Sequence, residues 1–145
     1  MAEGATNVYN NIKEQLHLAT MDFDTDTFKI ILLKTTTFSA DDNPAYADYS
    51  ADEITAAGYS AGGETLTGLT VTQDDTNDRA KWDAADMTWT SLASTTIVGA
   101  VIYDDTITAT TIPADPCVTH TEIATNSNGG NYTMAFHANG IWLLS

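Results

Sequence analysis

The sequence predicts a mostly β protein: an antiparallel β-sandwich or small barrel with one N-terminal α-helix. Three observations carry this expectation. Threonine, β-branched and favoured on strands, occurs 25 times, against 5 Glu and 5 Lys plus Arg, so the usual surface helix formers are scarce. Fifteen of the 20 acidic residues are Asp, which favours turns and caps over helix interiors. Strand-sized apolar segments are punctuated by Asp, Asn, Gly and Pro, at a spacing that suggests seven or eight strands. No repeat of solenoid or propeller period is present. The 145 residues read as a single domain, 1–145, large enough to bury a core without disulfide staples.

The helix is expected at about 7–19. Val8, Ile12 and Leu16 recur every four residues with Tyr9 and Ala19 beside them, Asn11, Lys13, Glu14 and Gln15 fall elsewhere on the wheel, and Thr6 or Asn7 can cap the start. Three turns are too few to be stable alone, so this helix must pack on the β body. Met21 to Thr27 alternates acids with apolar residues or Thr. Thr27 to Thr35 then reads as a strand, with Phe28, Ile30 and Leu32 on one face and Ile31 and Leu33 on the other, hence central or covered by the helix. The polar stretch 39–63, broken by Asp41-Asp42-Asn43-Pro44, reads as a long surface excursion with one helical turn near Asp52.

Gly62-Gly63 opens the next strand. Its apolar residues Leu66, Leu69 and Val71 lose strict alternation at Gly68, the signature of a β-bulge. Gln73 to Asp78 is a turn. Lys81 to Thr90 continues as one strand with Met87 and Trp89 on a shared face. Ala93 to Tyr103 is the most apolar segment and reads as a central strand, ended by Asp104-Asp105-Thr106. Ile107 to Ile112 alternates, Pro113 and Pro116 bracket a bend, and Val118 to Ala124 is a further strand. Asn128-Gly129-Gly130 turns the chain into a strand with Tyr132, Met134 and Phe136 on one face. Asn139-Gly140 between two apolar segments is the sequence signal of a tight hairpin, leading to a buried Ile141 to Leu144.

Charge excludes several functional classes. The formal net charge is −15 and the sequence pI is about 4.1, so nucleic acid and anionic membrane surfaces are disfavoured partners. The apolar runs Ile30 to Leu33 and Ile97 to Tyr103 fall far short of the ~18 residues of a membrane span. MAEGATNVYNN has neither the basic nor the apolar region of a secretory signal. One Cys rules out an internal disulfide framework and multi-Cys zinc motifs.

No candidate constellation assembles into a catalytic, cofactor-binding or metal site. Asp22-Phe-Asp24-Thr-Asp26 follows the opening of an EF-hand loop, but Thr27 and Leu33 stand where the motif needs Gly and a bidentate Glu. The clusters Asp41/Asp42, Asp74/Asp75/Asp78 and Asp104/Asp105 read as turn chemistry and solubility, with Ca²⁺ binding in a loop as the alternative. His17, His120 and His137 show no metal-ligand spacing. No Gly-x-Ser-x-Gly elbow is present, and Cys117 between two prolines lacks a local base, so it reads as an inert thiol. Gly58 to Gly63 is Gly-rich without the Lys of a phosphate loop and reads as a tight turn. Trp82, Trp89 and Trp142 are expected in the core or an interface, with a sugar platform as the alternative.

Taken in order, several segments form a recognisable pattern: Thr25-Asp-Thr-Phe-Lys-Ile-Ile-Leu, Tyr46-Ala-Asp, and Ile54-Thr-Ala-Ala-Gly-Tyr-Ser-Ala-Gly-Gly-Glu-Thr-Leu. Then come Ala80-Lys-Trp-Asp, Met87-Thr-Trp-Thr, Val101-Ile-Tyr-Asp-Asp-Thr, Gly130-Asn-Tyr-Thr-Met and Asn139-Gly-Ile. This order resembles a family of small virion structural proteins of tailed bacteriophages, of the head decoration or minor capsid type. The resemblance runs from about Asn7 to Leu144, and its most specific pieces are Gly-Tyr-x-x-Gly-Gly and Tyr-Asp-Asp-Thr. Between Pro113 and Gly130 the chain departs from the family, which returns there through a more apolar strand. The resemblance implies a β-rich capsid decoration protein without catalytic residues or cofactors. It would be made in the bacterial cytoplasm and assemble, often as a homotrimer, on the outside of the phage head with the major capsid protein as partner. The competing expectation is an adhesive or carbohydrate-binding module of a tail or fibre. A small enzyme, the third, has no constellation behind it.

Overall fold

The computed structural model describes residues 6–35, 44–108 and 113–144. Ten strands and two short helices follow one another as β1 (Thr6–Val8), α1 (Asn10–Leu18), β2 (Phe28–Leu33), α2 (Tyr46–Tyr49), β3 (Glu64–Thr65), β4 (Thr70–Asp74), β5 (Arg79–Asp83), β6 (Met87–Leu92), β7 (Thr96–Asp104), β8 (Cys117–Asn126), β9 (Gly130–Met134) and β10 (Trp142–Leu144). The fold is mostly β and antiparallel, as composition predicts. A five-stranded sheet runs β1-β8-β7-β2-β3, a three-stranded sheet β10-β5-β4, and β6 pairs with β9. The large sheet ends on the separate edges β1 and β3, so the architecture is sandwich-like and not a closed barrel. Three of the ten strands have only two or three residues, which is why turn spacing undercounts them.

The two most apolar segments occupy the middle of the large sheet. β2 and β7 pair in register from Phe28↔Asp104 to Leu33↔Gly99, and nearly all their side chains are buried on both faces. β8 flanks β7 over ten residues and buries Cys117, Val118, Thr119, His120 and Thr121. The polar 113–130 region therefore does supply a long inner strand. One continuous core joins all three sheets: Trp82 of β5 lies edge-on to Phe28 of β2 at 5.0 Å, and Trp89 of β6 packs against Tyr132 of β9 at 5.8 Å.

Several local expectations are corrected. Thr6, Asn7 and Val8 are not the cap and first turn of the helix. They form a strand that closes one side of β8, and the Tyr9 N–H donates to the Val118 carbonyl at 3.2 Å. β-Branched residues beside an open ladder gain more from pairing than from one more helical turn. That pairing also sets the phase of α1: Asn11 and Gln15 turn inward with Ile12, while Leu18 is 59% exposed. The helix ends at Ala19, in the left-handed conformation, whose N–H donates to the Leu16 carbonyl while that of Thr20 donates to Gln15.

Residues 44–63 are less of an excursion than their polarity suggests. The Lys34 N–H donates to Asp52 and the Ile54 N–H to Leu32, so the segment lies along β2, and its helical turn falls at 46–49, ahead of Asp52. Gly68 sits not in a paired bulge but in the connection from β3 to β4, where the chain changes sheets. Real register shifts occur at Trp89/Leu92, Ile97/Gly99 and Ile102/Tyr103. Lys81 to Thr90 is two strands in different sheets, broken at 84–86.

Asn139-Gly140 does not close a hairpin. β9 pairs with β6, whereas β10 pairs with β5. Gly140 lies against β5, where an added Cβ would meet the Trp82 carbonyl oxygen at 2.6 Å, and it holds φ at +92°. Glycine is needed there for close approach between sheets. The apolar end is only partly buried: Ile141 is inside, but Leu144 is 52% exposed. Asp41, Asp42 and most of the Ile107 to Ile112 alternation lie outside the described residues, and Ile107 and Thr108 are not in a strand. No helix among the described residues is long and apolar enough to cross a membrane.

Candidate functional site

Several Asp residues organise turns. The Asp22 carboxylate accepts the Asp24 N–H at 3.0 Å, and Asp26 accepts the Asp22 N–H at 2.7 Å. Those local donors hold the Asp22 carboxyl below its ordinary value, the Asp24 N–H first and Thr25 next. Asp74 accepts from Asn77 Nδ2 and Arg79 Nε, both at 2.8 Å, which likewise lowers its pKa and closes the β4–β5 turn. Asp105 pairs with Lys29 at 2.8 Å. Among the described residues, no three His, Cys, Asp or Glu side chains converge as metal ligands.

The histidines and the cysteine are scattered. His17 is exposed in the last turn of α1, its Nδ1 2.7 Å from the Lys13 carbonyl. His137 is exposed, and its Nδ1 accepts the Asn139 N–H at 3.0 Å. His120 is fully buried in β8, and burial lowers its pKa against a smaller opposing pull from Glu122. The Cys117 thiol is buried, and desolvation first, then Asp48 and Asp115, push its pKa far up. Trp82 and Trp89 are buried and Trp142 is half-buried. Phe23 gathers two of them, edge-on to Trp82 at 4.8 Å and tilted to Trp142 at 5.5 Å, while its carbonyl accepts the Trp82 indole N–H at 3.1 Å.

Two buried carboxyl groups are conspicuous in the fold; the sequence marked Asp104 only as part of the Asp104/Asp105 turn cluster and did not single out Glu53. Glu53 is 3% exposed. It accepts the hydroxyls of Tyr46 at 2.6 Å and Tyr59 at 2.5 Å and the Gly62 N–H at 3.0 Å, so it ties the Gly58 to Gly63 turn down. The Tyr103 hydroxyl adds a bond to the Gly62 carbonyl at 2.8 Å and its ring stacks on Tyr46 at 4.7 Å. Burial and then the Glu53 carboxylate push Tyr46 up to about 12 and Tyr59 higher still, so both phenols stay donors. The available signal was that Glu53 is one of only five Glu, placed among Ala, Thr and Ile. The second group is Asp104, wholly buried at the end of β7, with the Asp26 carboxyl against it.

Among the described residues, an apolar strip lies on the outer surface. Lys13, Leu16 and His17 of α1 meet Leu144 of β10, and the strip continues over Trp142, Lys81 and Val71 of the three-stranded sheet. Among the described residues, Leu18, Val71 and Leu144 are the exposed large apolar side chains, at 59%, 50% and 52%. The margin of the strip is mixed in charge: Lys13 and Lys81 lie along it, Arg79 stands with Asp74, Asp75 and Asp78 at the Leu144 end, and Arg79 and Lys81 are paired with Asp74 and Asp83. This arrangement offers adhesion through apolar contact on a molecule that is otherwise acidic. Compared with protein-family models, curated proteins and solved structures, the chain matches none.

Proposed function

We propose that this is a structural virion protein of a tailed phage, decorating the outside of the capsid as an oligomer that bridges capsomers. The observation that carries the reading is the exposed apolar strip formed by α1 and the three-stranded sheet. Exposed contiguous apolar surface marks interaction sites. The resemblance of the ordered sequence segments to head decoration proteins supports the same role. A decoration protein needs contact area and not chemistry, and binding to the assembled shell stabilises it by mass action. The buried, deactivated Cys117 and the separated histidines fit a role without catalysis. The competing adhesive module would present aromatic platforms; Trp82 and Trp89 are committed to the core, which leaves it the half-buried Trp142.

Light scattering of the purified protein, then sedimentation with undecorated capsids, tests the proposal. A discrete trimer that cosediments at fixed stoichiometry and raises the capsid melting temperature is the expected result. Val71→Lys should abolish cosedimentation while changing the protein's own stability by less than about 0.5 kcal/mol, because the site is exposed. A wild-type protein that stays in the supernatant at every concentration overturns the capsid role, and saturable binding in a glycan screen would then favour the adhesive module.

A further inference from the structure

We propose that Asp26 and Asp104 share one proton, and that this proton latches the 20–27 segment onto the end of β7. The geometry is specific. Asp104 is 0% exposed, and its Oδ1 accepts the Thr106 N–H at 2.7 Å. Among the described residues no donor reaches its equally buried Oδ2. Asp26 is brought beside it by its neighbour Thr27, whose N–H donates to Thr106 Oγ1 at 2.7 Å and whose carbonyl accepts the Asp105 N–H at 2.8 Å. Two carboxylates cannot bond to each other, whereas an acid and a carboxylate can. Asp26 is already oriented, because its Oδ2 accepts the Asp22 N–H.

The other ionisable groups near this end of the sheet do not supply a counter-charge in place of the proton. On β2, Lys29 is held by Asp105. Asp115, from the segment before β8, is acidic and is itself raised by burial and by Asp105. Asp22 and Asp24 on the latched segment are acidic too, and Cys117 on β8 carries a neutral thiol. Burial first, and then the charge of Asp26, raises the Asp104 carboxyl from 3.8 to about 7, against the Thr106 and Ile107 N–H groups.

The consequence has a definite sign. The folded protein holds a proton that the unfolded chain releases, so this contribution to stability is complete below the unfolded pKa and is lost as pH rises through the folded one. Asp22 and Asp74, both held low, act in the opposite sense, losing stability as pH falls. The latch also has a clear target. Phe23 lies on the same segment and stacks on Phe28 at 5.3 Å as well as touching Trp82 and Trp142, so release loosens the junction between the two larger sheets. This holds whether or not the protein decorates a capsid.

Hydrogen exchange of the amides 22–27, corrected for intrinsic rates, tests the latch in the wild type, Asp104→Asn and Asp26→Asn. In the wild type the local opening equilibrium should rise about tenfold per pH unit between about pH 5 and pH 7, then level off. Asp104→Asn keeps an acceptor for Thr106 and offers Asp26 a permanent donor, so it should flatten this slope; Asp26→Asn should remove it as well. A wild-type slope near zero, or a slope unchanged in both variants, overturns the proposal. Opening at about pH 8 that is reversed by added CaCl₂ overturns it too, by making the pair a cation site. Should the variants fail to fold, a carboxyl-carbon NMR titration of wild-type Asp104 decides: a midpoint near 7 supports the latch, and one in the usual carboxylate range overturns it.

Discussion

Glu53 shows how one side chain can fix a turn that has little packing of its own. Its carboxylate receives two phenols and one backbone N–H, and no salt-bridge partner is recorded for it among the described residues. Glu53→Gln keeps one acceptor oxygen but places an amide donor against donor groups. Hydrogen bonds to charged groups are worth about 1.5–3 kcal/mol, so urea unfolding should show a loss of that size, with the denaturant slope unchanged. None of this was legible in advance. Burial of a polar residue depends on which partners the fold delivers, and Tyr46, Tyr59 and Gly62 reach Glu53 only once the segment lies along β2. The reading of Cys117 as inert rested on a general property of thiols without a base, and its burial agrees with that reading.

At the scale of elements, apolar runs were readable and partners were not. β2 and β7 announced themselves because both their faces are apolar, and their central positions follow from that alone. Asn139-Gly140 misled because the same local pattern serves a hairpin or a crossing between sheets; the choice is made by Trp142, which pairs opposite Trp82 and packs on Phe23. The first strand was hidden for a related reason, since Thr6 to Val8 are too few to show alternation and gain their meaning from β8. Gly140→Ala tests the crossing. The methyl would meet the Trp82 carbonyl oxygen and Lys81 at a positive φ, so stability should fall by at least about 1 kcal/mol, seen as a lower melting temperature. An alanine variant as stable as the wild type would mean that β10 can detach from β5 without cost.

For the whole molecule, charge is the dominant global property. Fifteen unbalanced negative charges sit on a 145-residue chain, and the described residues hold three salt bridges, all with partly exposed partners. Exposed pairs of this kind contribute about 0–1 kcal/mol each, so screening them removes little, whereas screening the net repulsion favours the compact state. Raising NaCl from low to moderate concentration should therefore increase the melting temperature in calorimetry, most steeply where the Debye length falls through about 10 Å. A melting temperature that falls with salt would mean that local ion pairs outweigh the global field. Composition alone made the fold class legible, since Thr on strands and Asp in turns are whole-chain statistics. The division into three sheets was not, because it depends on long-range pairings such as β1 with β8.

The burial of Cys117 makes this thiol a built-in clock. Its strand lies between β1 and β7, its N–H donates to Pro44, and its sulfur is fully enclosed. An alkylating reagent can reach it only when the packing around the start of β8 opens, and no second cysteine competes for the label. The rate of modification therefore times the opening of the core around the start of β8, with one label per molecule and no engineered probe.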